Sequence, residues 1–314
     1  MIVTVTPNPS LDRTLHLPRL APGAVNRAIA TMTEPSGKGV NVALALAGAG
    51  IEARAVLPIG GATGDELLGR LADLGLRTVA VPIGGQIRSN ISLVEADGRS
   101  TKVNEPGPEL SAAEVDALCA AALDAGEAGG WTLWAGSLPA GFAPDRLAAA
   151  VADARSAGHR VAVDASGAAL RAVLSNAGVS LPQLIKPNAD ELAEVVGTTL
   201  VTIGDVIAAA DALLARGVRT VLVSLGGDGA VLVDAELSEP LHGTAPAQRV
   251  VNTVGAGDAF LAGFLAAPGG GADGLASALR FGATAVEHQG TLLGVPDPSR
   301  PVHVGPARAD ERLG

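Results

Sequence analysis

The feature that most constrains this chain is a repeated change of hydrophobic period. Short β-branched runs such as Ile2-Val3-Thr4-Val5 and Val221-Leu222-Val223 alternate with Ala/Leu-rich stretches that repeat on a helical period. Such runs, each followed by an amphipathic helix, specify an α/β protein with a mainly parallel sheet. The pattern predicts strands at 2–6, 53–58, 78–82, 131–135, 160–164, 182–186 and 218–223, with edge strands at 229–233 and 247–251. It predicts helices at 39–48, 64–74, 111–125, 145–156, 189–196, 204–215, 257–267 and 273–288. Ser111 and Glu114 have the spacing of a capping box at the start of one of them.

Two stretches break this rhythm. Residues 12–33 and 87–104 alternate with period two and keep a polar face, as in Arg88-Ser89-Asn90-Ile91-Ser92-Leu93-Val94. They predict a small antiparallel sheet standing off the main one, a lid rather than an independent domain, because no Pro/Gly-rich linker separates it. The chain, 1–314, therefore reads as one domain. Residues 268–274 read as a loop and 296–314 as a polar tail.

Composition narrows the function. Acidic residues outnumber basic ones, 32 to 22, for a net charge of −10, which argues against a nucleic-acid partner. Cys119 is the sole cysteine, so there is no disulfide framework or cysteine zinc site, and its place on an apolar helix face reads as core. No run approaches the ~18 apolar residues of a membrane span. The first residues lack the charged and apolar regions of a signal peptide, so a soluble, cytoplasmic protein is expected. None of the five histidines stands four residues from another, so no helix carries a histidine metal face. Arginine supplies 19 of the cations and lysine only Lys38, Lys102 and Lys186. The two are not interchangeable at a phosphate site, so a retained lysine points to a specific task.

Four segments can carry chemistry. Asn252-Thr-Val-Gly255-Ala256-Gly257-Asp258-Ala-Phe260 runs from a glycine turn into an apolar helix. Small residues there leave backbone N–H groups facing outward at the positive end of the helix dipole, an anion hole. Asp258 then suits a general base, although Asp also serves as an ordinary helix cap. Ser36-Gly37-Lys38-Gly39-Val40-Asn41 is a second glycine turn before a helix and lacks the Walker A spacing. It offers a lysine and an asparagine at a helix start, or is a plain junction with a solvated lysine.

Lys186-Pro187-Asn188-Ala-Asp-Glu191 closes a buried strand, where open α/β sheets bind ligands. Asn188 and Glu191 can orient the water shell of a Mg²⁺ or simply cap the next helix; the two roles are compatible. Ser224-Leu225-Gly226-Gly227-Asp228-Gly229 is either a hairpin turn or backbone lying close to a nucleotide. Ser137, in Gly136-Ser137-Leu138-Pro139, has no histidine partner that would make it a nucleophile.

In order and spacing these segments resemble the phosphofructokinase B family of sugar kinases, which has a ribokinase-like three-layer α/β/α fold. The two glycine turns match its two signatures, and the Lys186 and Ser224 segments match its nucleotide and magnesium segments. Thr6-Pro-Asn-Pro-Ser-Leu-Asp12 and Arg88-Ser-Asn90 are similar to the branch acting on phosphorylated hexoses. Ser36 stands where that family usually has Gly, and Ser92 or Leu93 where a Lys or other charge is usual. The resemblance implies ATP-dependent phosphorylation of a hexose phosphate, foremost fructose 1-phosphate to the 1,6-bisphosphate. The alternatives are a 6-phosphofructokinase or tagatose-6-phosphate kinase, and less readily a non-catalytic sugar-phosphate sensor.

The resemblance also implies roles. Asp258 takes the proton of the attacking hydroxyl, and the N–H groups of Gly255, Ala256 and Gly257 stabilise the transferring group. Asp12, Gly37, Lys38, Asn41, Arg88 and Asn90 hold the sugar phosphate. Lys186, Asn188, Gly257 and the Ser224–Gly229 turn meet ATP, and Asn188 with Glu191 hold Mg²⁺ through water. A homodimer through the lid is expected.

Overall fold

Apolar strands need cover on both faces, and the chain builds its layers accordingly. The computed structural model describes residues 1–175, 180–247, 249–288, 290 and 296–314. The strands are β1 (Ile2–Val5), β2 (Ser10–Leu17), β3 (Ala30–Ser36), β4 (Ala53–Ile59), β5 (Arg77–Pro82), β6 (Arg88–Glu95), β7 (Ser100–Asn104), β8 (Trp131–Ala135), β9 (Arg160–Asp164), β10 (Leu184–Ile185), β11 (Thr220–Ser224), β12 (Ala230–Asp234), β13 (Leu241–Thr244) and β14 (His303–Pro306). The helices are α1 (Lys38–Gly48), α2 (Gly61–Asp73), α3 (Ala112–Ala125), α4 (Pro144–Ser156), α5 (Gly167–Ser175), α6 (Ala189–Val196), α7 (Ile203–Leu214), α8 (Ala256–Ala266) and α9 (Gly271–Val286).

Among the described residues, ten strands form the main sheet in the order β14-β13-β12-β11-β10-β9-β8-β1-β4-β5. From β5 to β11 every pairing is parallel, and β12, β13 and β14 add an antiparallel edge. Val5, Val56, Leu57, Leu133, Val161, Ile185 and Val223 are almost wholly buried, as expected where helices cover both faces. The expected capping box is present: Ser111 accepts from the Glu114 N–H, and the Glu114 carboxylate accepts from the Ser111 N–H at 2.7 Å.

Several expectations need correction. The lid is a separate four-stranded sheet, β3-β2-β6-β7, but it is mixed rather than antiparallel. Each half is a local hairpin, and the two meet through the parallel pair β2–β6 because both leave the main sheet from the same side. The edge strand expected at 247–251 lies instead at β13; residue 248 is outside the described residues. Val251 and Asn252 donate their N–H groups to the Val286 carbonyl at 2.7 and 3.1 Å, so this segment is tied to α9 rather than to a strand.

The expected polar tail holds β14, hidden by Pro and Gly in His303-Val-Gly-Pro306, and then runs beside α7, where Ile203 N–H donates to the Glu311 carbonyl at 2.8 Å. α5 had no sequence expectation. The strand expected at 182–186 shrinks to β10 because Pro182 and Pro187 bracket it without N–H donors.

Candidate active site

The parallel strands end along one edge, and the candidate residues gather there. Thr6 and Asn8 follow β1, Gly136 follows β8, Asp164 closes β9, Lys186 follows β10 and Ser224 closes β11. The lid begins at the same edge, since Ser10 is in register with both Ser36 and Arg88, and Asp12 with both Glu34 and Asn90.

Two helix starts point into this edge. Gly37 caps α1 at φ +129°, and a Cβ there would meet Thr6 Cγ2 at 2.7 Å. A Cβ on Gly39 would lie 2.5 Å from Thr6 Oγ1, so only glycines let α1 seat against the end of β1. That seating brings in Lys38 and Asn41. Gly255 caps α8 in the left-handed conformation at φ +78°, and no side chain caps that helix. Asp258 therefore sits inside the first turn with its carboxylate free of capping, which removes the plain-cap reading. Ala256 N–H is bent onto the Thr253 carbonyl at 3.3 Å, whereas Gly255 and Gly257 have no backbone acceptor among the described residues.

The charged centre is compact. Asn41 Nδ2 donates to Asp258 Oδ2 at 2.8 Å, both side chains being buried. Lys38 Nζ donates to Asp164 Oδ1 at 2.8 Å, and Lys186 Nζ lies 3.2 Å from Asp164 Oδ2, an ion pair not aligned as a hydrogen bond. A Cβ on Gly257 would be only 3.6 Å from Lys186 Nζ, so the glycine admits the ammonium to the first turn of α8. Burial, and then the nearby Asp164 charge, push the Asp258 carboxyl up to about 6, against the Asn41 hydrogen bond and the two lysines. Burial also opposes ionisation of Asp164, but Lys186 and Lys38 outweigh it and hold that carboxyl below its ordinary value. Lys38 is held above its ordinary value, because Asp164 overcomes the effect of burial.

The lid junction forms a second polar group, which pairs the Asp12 carboxylate with the Arg88 guanidinium and neutral donors. Asn90 Nδ2 donates to Asp12 Oδ1 at 2.9 Å and to Ser10 Oγ at 3.0 Å, and Ser10 Oγ donates to the same Asp12 oxygen. The Arg88 guanidinium reaches the carbonyls of Asn8 and Glu105, each at 3.2 Å; burial lowers its pKa, countered by Asp12. Among the described residues, the buried carboxamide oxygens of Asn8, Asn41 and Asn90 and Arg88 Nε have no hydrogen-bond partner. Buried polar atoms are normally satisfied, so this set fits a ligand rich in hydroxyls and negative charge.

Asn188 and Glu191 form the capping box of α6, with Asn188 Oδ1 accepting from Glu191 N–H at 2.8 Å and Glu191 Oε2 from Asn188 N–H at 2.9 Å. Glu191 Oε1 stays outside the box. No group of three or more His, Cys, Asp or Glu residues is placed to hold a metal among the described residues. This donor set fits a magnesium ion that keeps its waters and arrives on phosphate oxygens, not an all-protein cage.

Ser224 is bridged to Asn188, and the following turn is closed by Leu225 N–H on the Gly229 carbonyl at 2.8 Å. Nothing lies within 4 Å of a Cβ built on Gly226 or Gly227, so the turn presents open backbone. Asp228 is committed elsewhere: its carboxylate accepts from Gly314 N–H at 2.8 Å.

The centre thus joins Lys38, Asn41, Lys186 and Asp258, while Asp12, Arg88 and Asn90 form the lid group. Sequence reasoning missed Asp164, whose only signal was an acid closing the apolar run Val161-Ala-Val. It also missed Asn8, whose Nδ2 donates to Ser137 Oγ at 3.3 Å, and set Ser137 aside as a failed nucleophile.

Residues 8–298 match the family model described as pfkB family carbohydrate kinase. A 1-phosphofructokinase of Xanthomonas campestris is 40% identical over 84% of this chain and 83% of that protein. Phosphofructokinase-2 of Escherichia coli, solved with potassium, superposes with a TM-score of 0.87 at 34% identity, covering 93% of this chain and 94% of that one. A ribokinase of Arabidopsis thaliana superposes with a TM-score of 0.72 at 23% identity over 96% of this chain and 95% of that one, which extends the likeness to the ribokinase fold.

Proposed function

Because this chain belongs to the pfkB family of carbohydrate kinases, we propose that it transfers the γ-phosphoryl group of ATP to a hexose phosphate, with fructose 1-phosphate as substrate and fructose 1,6-bisphosphate as product. The observation that carries this reading is the Asn41–Asp258 hydrogen bond at the head of α8, beside the Lys38–Asp164–Lys186 cluster. A buried carboxylate with a raised pKa, held in one orientation, is what proton removal from a sugar hydroxyl requires. The substrate choice is supported by the 1-phosphofructokinase relative and by Lys38 in the first glycine turn.

In this reading the sugar hydroxyl oxygen bonds to the γ-phosphorus, the bond from that phosphorus to the bridging oxygen breaks, and its electron pair leaves with ADP. The hydroxyl proton goes to Asp258 and then to water. Lys38, Lys186 and the N–H groups at the start of α8 offset charge on the transferring group, the dominant contribution in such chemistry. Asp12 and Asn90 orient the sugar hydroxyls, and Arg88 faces its resident phosphate. Asn188 and Glu191 would hold Mg²⁺ through water, and the ion would neutralise phosphate charge and fix the nucleotide's geometry. The open backbone of Gly226 and Gly227 supports a nucleotide lying across that turn.

Two copies would pair through the lid, whose Val25, Ile29, Met32 and Val103 are exposed. Among the described residues no helix is long and apolar enough to cross a membrane.

ADP release with MgATP tests the substrate, comparing fructose 1-phosphate, fructose 6-phosphate and tagatose 6-phosphate. A kcat/KM advantage of about tenfold or more for fructose 1-phosphate, about 1.4 kcal/mol in transition-state binding, is expected. An advantage for a 6-phosphate would keep the chemistry and move the substrate.

A further inference from the structure

We propose that Asp164 is the positioning residue of the transfer centre, a single buried carboxylate that holds Lys38 and Lys186 side by side over the path of the transferred phosphoryl group. This rests on the kinase reading above.

Asp164 is 1% exposed, and a carboxylate that deep persists as an anion only with well-placed partners. Its partners are two of the chain's three lysines, one on each oxygen, at 2.8 and 3.2 Å. They come from different elements, Lys38 from the first turn of α1 and Lys186 from just after β10. The Asp164 backbone is itself fixed, its carbonyl accepting from Gly136 N–H at 2.9 Å, while Lys186 N–H donates to the Val163 carbonyl at 3.2 Å.

A free lysine side chain has much rotamer freedom to lose on being held, and the anchored pair has already given that up before substrate arrives. Each ammonium has three donors, so one spent on Asp164 leaves others for phosphate oxygens. The Lys38 side chain keeps 37% of its surface exposed, consistent with an ammonium held at its root and open to the cleft. The same negative charge acts on Asp258, whose surroundings are the Asn41 amide, Lys38, Lys186 and Asp164.

Asp164→Asn is the direct test. We expect kcat to fall about a hundredfold, typical for loss of a preorganised electrostatic group, with KM for MgATP and for the sugar phosphate each within about threefold. The acid limb of the pH–rate profile should move to lower pH, because Asp258 loses a like charge. Combined with Lys38→Met, the loss should be smaller than the product of the two single losses. A kcat within about threefold of the wild type, an unmoved limb or multiplicative losses would overturn the proposal. Should Asp164→Asn not fold, Asp164→Glu tests placement alone: it keeps the charge and so leaves the acid limb in place, but its longer side chain displaces both ammonium groups and should still lower kcat at least about tenfold, and a wild-type kcat there would overturn the proposal.

A second readout needs no activity. In ¹³C-lysine-labelled protein only three lysines give Cε signals. Lys38, which faces Asp164, Asp258 and Glu191, should titrate at clearly lower pH in Asp164→Asn than in the wild type, because the variant removes the charge that most favours its protonated form. If the wild type phosphorylated no hexose phosphate, the functional reading would fail, while this titration would still decide whether Asp164 holds Lys38. An unaltered Lys38 titration would refute that hold.

Discussion

Asn41 and Asp258 stand 217 residues apart in sequence and are joined by a 2.8 Å hydrogen bond from Nδ2 to Oδ2 in the interior of the protein. One follows the first glycine turn and the other the last, so folding brings two anion-facing helix starts onto one point. Neither turn by itself separates a catalytic helix start from an ordinary one. Their junction supports the proposed catalytic role, because among the described residues the buried carboxylate has one neutral donor and is poorly compensated unless its charge is put to use.

The raised pKa of Asp258, about 6 from burial and the Asp164 charge, sets the low-pH behaviour. Only the ionised carboxylate accepts the hydroxyl proton, so kcat/KM should fall about tenfold for each pH unit below about 6. A pH series in wild type and in Asp258→Asn checks this. The residual activity of the variant should lack the Asp258 limb, which separates it from ionisation of the sugar phosphate itself. A wild-type profile flat down to pH 4.5 would place the base elsewhere.

The same shift makes Asp258 a burden on the folded state. Its folded pKa lies above the unfolded value near 3.8, so the native protein binds the proton more tightly, and this group's contribution improves as pH falls from above 6 toward 4. Above pH 7 the buried charge costs on the order of 3 kcal/mol. Asp258→Asn should therefore raise Tm by several degrees at pH 8, with the gain shrinking near pH 4, as scanning calorimetry would record. A variant less stable than wild type at pH 8 would contradict this.

Arg88 is held at the lid junction by two carbonyls and keeps a buried Nε without a partner. Charge-assisted contacts to phosphate are among the stronger hydrogen bonds. Arg88→Ala should raise KM for the sugar phosphate by about ten- to a hundredfold, on the order of 1.4–2.8 kcal/mol, while KM for MgATP moves less than about threefold. Steady-state kinetics with each substrate varied in turn reads the split, and equal changes in both constants would remove Arg88 from the sugar-phosphate pocket.

Much of this architecture was legible in the sequence because its strands are buried on both faces and read as unbroken apolar runs. The glycine turns were legible for a related reason: Gly37 and Gly39 stand where a Cβ would strike Thr6, and such steric demands leave a visible residue. What escaped was long-range. β14 carries Pro and Gly and is a strand only because β13 offers its edge. Val250 and Val251 have strand-forming side chains, but the carbonyl of Val286 claims the N–H of Val251. Asp164 is ordinary as a strand-ending acid until Lys38 and Lys186 arrive from 126 residues before it and 22 residues after it. The lid's parallel β2–β6 pair likewise depends on where the chain re-enters after β5, which no local alternation encodes.

The central claim is that Asp258 removes the proton of the accepting hydroxyl. Asp258→Asn preserves shape and the bond from Asn41, so its kcat with saturating MgATP and fructose 1-phosphate, measured beside its affinity for MgATP, tests that claim most directly. The account predicts a kcat at least about a hundredfold below wild type, within the 10²–10⁴ range of general-base catalysis, and MgATP affinity within about threefold. A variant that keeps more than about a hundredth of the wild-type kcat would contradict it.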